Sequence, residues 1–244
     1  MISKNLDTVL GSSTPSSSDG GRYIKSTIYG GLDGIITTFA VVAGVAGASL
    51  SSGIVLILGF ANLLADGISM AIGDYLSTKA EVEYADSKRQ IEAEAIDENP
   101  GDVKKELTSL FVDKGITEED AEILESIYAR YKHICLDVVM LEKWGVVKEK
   151  ESPVMNALVT FASFVLFGFM PLAAYLAAHY IPALGAHTFL VASVITALTL
   201  FILGVQKIRF SDRSWLASGF EMLIIGGVAA VVAYAIGVLL SGIA

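Results

Sequence analysis

Five stretches of this chain, Ile28–Leu50, Gly53–Leu76, Val154–Ala178, Ala183–Gln206 and Trp215–Leu240, each exceed the roughly 18 apolar residues that a helix needs to cross a bilayer. Together they occupy 122 of the 244 residues. In hydrocarbon every backbone N–H and C=O must be satisfied within the segment, which leaves helices as the architecture for spans of this length. The expected fold is therefore an all-α membrane protein with five transmembrane helices. Composition supports this, since 53% of the residues are hydrophobic and only 18% are charged, too apolar for an ordinary soluble domain. The net charge of −9 has the wrong sign for tracking phosphates and excludes nucleic acid as a partner. A single cysteine, Cys135, excludes a disulfide scaffold and a cysteine-based zinc cluster, and reads as a buried structural thiol.

Lysine and arginine set the expected orientation. Arg22 and Lys25 precede the first span, eleven Lys/Arg separate spans two and three, and Lys207, Arg209 and Arg213 lie between spans four and five, whereas the 1–2 and 3–4 connections carry none. This places the N-terminus and the large central loop in the cytosol and the C-terminus on the lumenal or outer side. Residues 1–26 form a polar, Ser-rich tail without an apolar h-region, read as disordered and not as a signal peptide. The remaining segments are 27–76 with spans one and two, 77–152 as a cytosolic domain, and 153–244 with spans three to five. The inside-positive pattern fits the membrane of a vacuole or another acidic compartment as well as a bacterial inner membrane.

Of the 43 charged residues, 19 acidic and 11 basic ones fall between Ser77 and Ser152, which makes this insert a separate acidic domain. Span two runs without Gly or Pro into Lys79–Glu98 until Asn99-Pro100-Gly101 breaks it. Asp102 is expected to cap the next helix. Thr117-Glu118-Glu119-Asp120 resembles a capping box, opening a helix to about Lys132, and a short segment Asp137–Trp144 stops at Gly145. The acids at 118, 119, 122 and 125 read as a solvated face. Glu92 and Glu106 differ, because the turn at Pro100 folds their helices together, and carboxylates gathered this way suit a hard divalent cation, with a Met sulfur shifting preference to a softer transition metal.

Within the membrane, Asn62, Asp66, Met70 and Asp74 recur every four residues and share one helix face roughly 18 Å long. Asp33, followed by Thr37 and Thr38, gives span one a similar patch, and Glu221 lies near the cytosolic end of span five. Ionisable residues inside spans are costly and so are candidates for function. A polar face of this kind lines a cation path or makes interhelical hydrogen bonds, the latter helped by the small residues Gly30-x-x-x-Gly34 and Gly67/Gly73. For Glu221 anchoring at the interface and a site role are both open. His179 and His187 at the 3–4 connection read as solvated, His133 beside Cys135 is too little for a zinc site, and Pro171 is expected to kink span three.

Several runs carry a family resemblance: Gly31-Leu32-Asp33-Gly34-Ile35-Ile36-Thr37-Thr38-Phe39, Ala61-Asn62-Leu63-Leu64-Ala65-Asp66-Gly67-Ile68-Ser69-Met70, Gly73-Asp74-Tyr75-Leu76-Ser77, Lys114-Gly115-Ile116-Thr117-Glu118-Glu119-Asp120-Ala121 and Ser218-Gly219-Phe220-Glu221-Met222-Leu223. From Tyr29 to the C-terminus the chain resembles the vacuolar iron transporter family. The resemblance implies a homodimer of five-helix protomers whose first helices line a path at the two-fold axis, moving Fe²⁺ and often Mn²⁺ out of the cytosol in exchange for protons. It implies that Asp33 and Met70 contact the ion in the path, and that the cytosolic helical domain collects metal with glutamates and methionines. Glu92, Glu106 and Met140 match that ligand pattern. Other ligand positions hold Ala95, Val103, Val139 and Lys143, with Glu94, Glu98 or Glu142 able to substitute after a small shift, and the Glu expected eight residues before Met70 is Asn62.

These readings combine into a divalent-metal transporter driven by proton antiport, with path residues Asp33, Thr37, Asn62, Asp66, Met70, Asp74 and Glu221. Metal ligands are expected at Asp33 and Met70 in the path and at Glu92, Glu94, Glu106, Met140 and Glu142 in the cytosolic domain. Desolvation disfavours the charged form of an Asp in a span and an arriving dication restores it, so protons and metal compete for the same oxygens. A two-fold axis would duplicate each ligand. No permanent cofactor is expected, only Fe²⁺, Mn²⁺ or Zn²⁺ as the transported or bound ion; the partners are a second copy, the lipid bilayer, divalent metal ions and protons. The alternative is a transport-inactive membrane protein whose acidic domain senses metal or recruits a partner. No Glu-x-x-His pair, nucleophile elbow or Gly-rich phosphate loop points to an enzyme.

Overall fold

The computed structural model describes residues 23–146, 152–206 and 214–243. The tail to Arg22 and the basic residues Lys207, Arg209 and Arg213 lie outside the described residues. The helices are α1 (Ile24–Gly47), α2 (Ser52–Glu98), α3 (Pro100–Asp113), α4 (Glu118–Tyr128), α5 (Lys132–Trp144), α6 (Pro153–Tyr180), α7 (Thr188–Gln206) and α8 (Trp215–Leu240), with a 3₁₀ segment at Pro182–His187. They divide into two compact units, Leu76–Ser152 and the parts of the chain on either side of it.

In the first unit, five helices are long and apolar enough to span a membrane. The fourth span keeps the expected bounds Ala183–Gln206, opening as the 3₁₀ segment and turning α-helical at Thr188. α6 continues through Pro171 as one helix. α1 packs against α6 and α8, and the approach is close because glycine removes the Cβ. A Cβ on Gly34 would lie 2.3 Å from the Phe164 carbonyl oxygen, and one on Gly237 would lie 2.1 Å from the Gly44 carbonyl oxygen. Helices in lipid gain little from hiding apolar surface from water, so backbone contact over small residues is the main attraction left. Val42, Val55, Leu63, Phe164 and Leu172 fill the core between these helices. Leu64, Ile68 and Ile72 of α2 and Ile224, Val228 and Val231 of α8 stay exposed, as suits residues facing acyl chains.

The second unit is built on α3, α4 and α5 with the end of α2. Its core gathers Ile96, Val103, Leu107, Phe111, Ala121, Cys135 and Val139. Helix α3 starts three residues earlier than the sequence suggested: Asn99 is its N-cap, Pro100 occupies its first turn, where its fixed φ and missing N–H cost nothing, and Asp102 sits in that turn and not at the cap. At the start of α4 the Thr117 hydroxyl oxygen accepts from the Asp120 N–H at 3.3 Å while the hydroxyl donates to the Asp120 carboxylate at 2.9 Å. α4 ends at Tyr128, short of Lys132, because a turn at 129–131 hands the Ile134 and Cys135 N–H groups to Tyr131 and begins α5 there, five residues before Asp137. Gly145, at φ +64°, closes α5 in the left-handed region, with its N–H on Leu141 and the Val146 N–H on Met140.

Candidate functional site

Along α2 the polar residues occupy the margin between two other faces. Leu63 and Gly67 are buried, Leu64, Ile68 and Ile72 are exposed, and Asn62, Asp66, Met70 and Asp74 lie between them, half-buried. A helical repeat of four residues keeps this margin continuous. Asp33 and Thr37 sit half-buried on α1, and the carboxylate of Asp66 is the nearby charge that acts on Asp33. The two acids belong to different helices, and their like charges repel unless a proton or cation intervenes. Thr37 is turned to its own helix, its hydroxyl donating to the Asp33 carbonyl oxygen at 2.8 Å. Met70 packs beside the Phe164 and Leu172 cluster. The side-chain amide nitrogen of Asn62 is buried without a hydrogen-bond partner, an unspent donor on this margin.

Asp74 ends the stripe in a different manner. Its carboxylate accepts from the Ser26 hydroxyl of α1 at 3.1 Å and from the Thr160 hydroxyl of α6. One side chain therefore ties three helices together directly beside the path residues. Ser26 and Thr160 are both buried, and neither stands out in the sequence; a lone threonine in the apolar run of span three is the available signal. Glu221 is half-buried in the second turn of α8, next to the buried Ser218 and Gly219. His133, His179 and His187 are exposed, His179 stacking edge-on with Tyr180.

In the helical unit, Glu92 and Glu106 converge, and Lys143 stands between them. Its ammonium lies 2.9 Å from a Glu92 oxygen and 2.8 Å from a Glu106 oxygen. The Trp144 indole N–H donates to the same Glu92 oxygen at 2.9 Å, and the Lys88 ammonium lies 4.1 Å above the Trp144 ring. Glu92 is only 2% exposed, so these bonds satisfy a charge that has left water. Burial pulls the Lys143 ammonium down, but its hydrogen bonds to Glu106 and Glu92, with their charges, more than offset this and hold it above its ordinary value. Met140, one turn before Lys143, is buried. Glu94 and Glu142 have other partners: Glu94 accepts from Gln90 at 2.9 Å, and Glu142 is ion-paired with Lys114. Among the described residues of one copy, no three His, Cys, Asp or Glu side chains gather closely enough to hold a metal ion. Cys135 is buried, and desolvation followed by the Glu125 charge pushes its thiol up, which keeps it protonated and unreactive.

The profile of the VIT family matches residues 24–238, almost the whole described chain. The chain belongs to the VIT family. A "Vacuolar iron transporter" of Toxoplasma gondii is 38% identical over 233 residues, covering 93% of this chain and 76% of that protein. One from Plasmodium falciparum is 34% identical over 223 residues, covering 89% and 82%. "Vacuolar iron transporter 1" of Arabidopsis thaliana is 31% identical over 235 residues, covering 96% and 92%. The match takes in both the α1–α2 margin and the helical unit, so this VIT family member carries the Asp33 to Met70 stripe and the Lys143 ion-pair centre within the matched residues.

Proposed function

We propose that this chain is a transporter of divalent transition metal, carrying Fe²⁺ and also Mn²⁺ out of the cytosol in exchange for protons, and that it works as a homodimer. The observation that carries the reading is the presence of half-buried Asp33 and Asp66 on two helices long and apolar enough to span a membrane, with Met70 one turn beyond Asp66. Two carboxylates and a thioether offer hard oxygens and one soft sulfur, a donor set suited to Fe²⁺ more than to Mg²⁺ or Ca²⁺. The relatives' names, vacuolar iron transporters, support iron as the cargo.

Coupling follows from the shared oxygens. With no dication between them, the two acids relieve their repulsion by taking up a proton; a dication arriving from the cytosol replaces it. On the far side the order reverses, and an acidic compartment drives release as protons compete with the metal for the shared oxygens. A second copy across a two-fold axis would double Asp33, Asp66 and Met70 to four carboxylates and two thioethers. Asp74, through Ser26 and Thr160, holds α1, α2 and α6 in the register that keeps the acids opposed. Basic residues before span one and in the 2–3 and 4–5 connections, with none in the 1–2 and 3–4 connections, support a cytosolic position for the helical unit.

The test is metal flux into proteoliposomes with and without a pH gradient. Fe²⁺ uptake that rises when the far side is acid, and that alkalinises that side, fits antiport. Absence of flux for every divalent ion in well-folded protein would return the chain to the sensor reading.

A further inference from the structure

We propose that Lys143 is a resident, tethered cation of the helical unit: its ammonium takes the place between Glu92 and Glu106 that a divalent ion would otherwise fill, so the unit folds and stays closed without metal. The inference stands on the ion-pair geometry and does not depend on the transport reading. Two carboxylates brought to one point, one of them 2% exposed, need positive charge, because a buried anion left unpaired is strongly destabilising. Lys143 meets both at hydrogen-bond distance. The Trp144 indole completes the shell of Glu92, and Lys88 over the ring adds a second positive charge nearby.

A dication entering this point would have to displace an ammonium delivered by the same helix. The tether keeps the local concentration of that ammonium far above any free metal level, since a group held on the chain competes intramolecularly. The displaced lysine would then repel the dication from a few ångströms away. The other acids expected as ligands do not supply compensation, because Glu94 and Glu142 are engaged with Gln90 and Lys114. In this chain the unit is thus a fixed structural element, and metal reaches the membrane path without a stop at Glu92 and Glu106.

The chain has two tryptophans, so full-length protein carrying Trp215→Phe leaves Trp144, bonded to Glu92, as a local reporter. Co²⁺ quenches indole emission on close approach. With Lys143 present, no saturable quenching is expected through millimolar Co²⁺; Lys143→Met, which keeps the stem and removes the charge, should give saturable quenching at least about tenfold tighter, and adding Glu106→Gln should remove it. Saturable micromolar quenching in the Lys143 protein, unchanged by Lys143→Met, would overturn the proposal. Should Lys143→Met fail to fold, hydrogen exchange of 76–152 in the unmutated protein decides: equal protection in chelator and in Co²⁺ supports a resident lysine, and protection that requires Co²⁺ refutes it. Neither readout uses flux, so a failed transport assay has no bearing on whether Lys143 fills this place.

Discussion

Replacing Gly34 by alanine tests how the helix packing sets the path geometry. The new Cβ would start 2.3 Å from the Phe164 carbonyl oxygen and 2.9 Å from its carbonyl carbon, whereas a carbon and a carbonyl oxygen settle at about 3.3 Å or more. The obstacle is backbone on the far side, so no side chain can rotate away, and α1 must retreat from α6 by about 1 Å, the difference between those distances. The reciprocal contact tightens this, because a Cβ on Gly168 would lie 2.7 Å from the Gly34 carbonyl. Overpacking of this kind costs about 1–3 kcal/mol, and a chain of this size loses about 2–4 °C of Tm per kcal/mol. Asp33 is the adjacent residue and moves with Gly34. A misplacement of about 1 Å at a working group can cost on the order of 100-fold in rate, so flux should fall further than stability. Thermal unfolding in detergent and Fe²⁺ uptake in proteoliposomes measure the two. Gly73→Ala is the control, since nothing lies within 4 Å of its Cβ position and alanine favours a helix by about 1 kcal/mol over glycine. Unchanged Tm and flux in Gly34→Ala would refute the backbone contact.

Asp33→Asn keeps shape and removes charge, so uptake should be nearly abolished with dimerisation and folding intact; normal flux would remove Asp33 from the path. Met70→Leu preserves volume and deletes the sulfur, and should lower Fe²⁺ uptake more than Mn²⁺ uptake, whereas an equal loss for both points to packing. Asp66→Asn should weaken the dependence of flux on the pH gradient, measured as Fe²⁺ uptake at matched and opposed pH, and unchanged coupling would leave Asp66 as a hydrogen-bonding group between helices. The folded-state pKa of Lys143 is raised, so the stability it contributes is fully present below its ordinary value of 10.5 and is lost as pH climbs through the higher folded value. Hydrogen exchange of the helical unit, after correction for the intrinsic rate, should therefore be flat across neutral pH and rise only in strong alkali; loss of protection between pH 6 and 8 would contradict the pairing.

The spans are legible in the sequence because hydropathy over some 20 residues is a local signal that tertiary contacts rarely overrule. Trp215–Leu240 is both the apolar stretch and the helix, and the others shift by a few residues at ends where capping decides. The α4–α5 turn is silent for the opposite reason: Ala129-Arg130-Tyr131 carries no Gly or Pro, and the break is made by backbone bonds to Tyr131 that no composition announces. The four-residue stripe is readable as a face, since periodicity fixes which residues align. Its division of labour is not. Asp66 and Asp74 are eight residues apart on the same margin, yet one opposes Asp33 and the other accepts from Ser26 and Thr160. That difference depends on where α1 and α6 pass, with Thr160 86 residues further along the chain than Asp74. In the helical unit, the residue types at 92, 106 and 143 do state the chemistry: two acids and one base, folded to one point, leave a single net negative charge that the Trp144 N–H and Lys88 temper. A carboxylate at position 143 would have left three negative charges there and made a dication necessary for folding, so the sign of one side chain separates a metal-dependent unit from one that closes by itself.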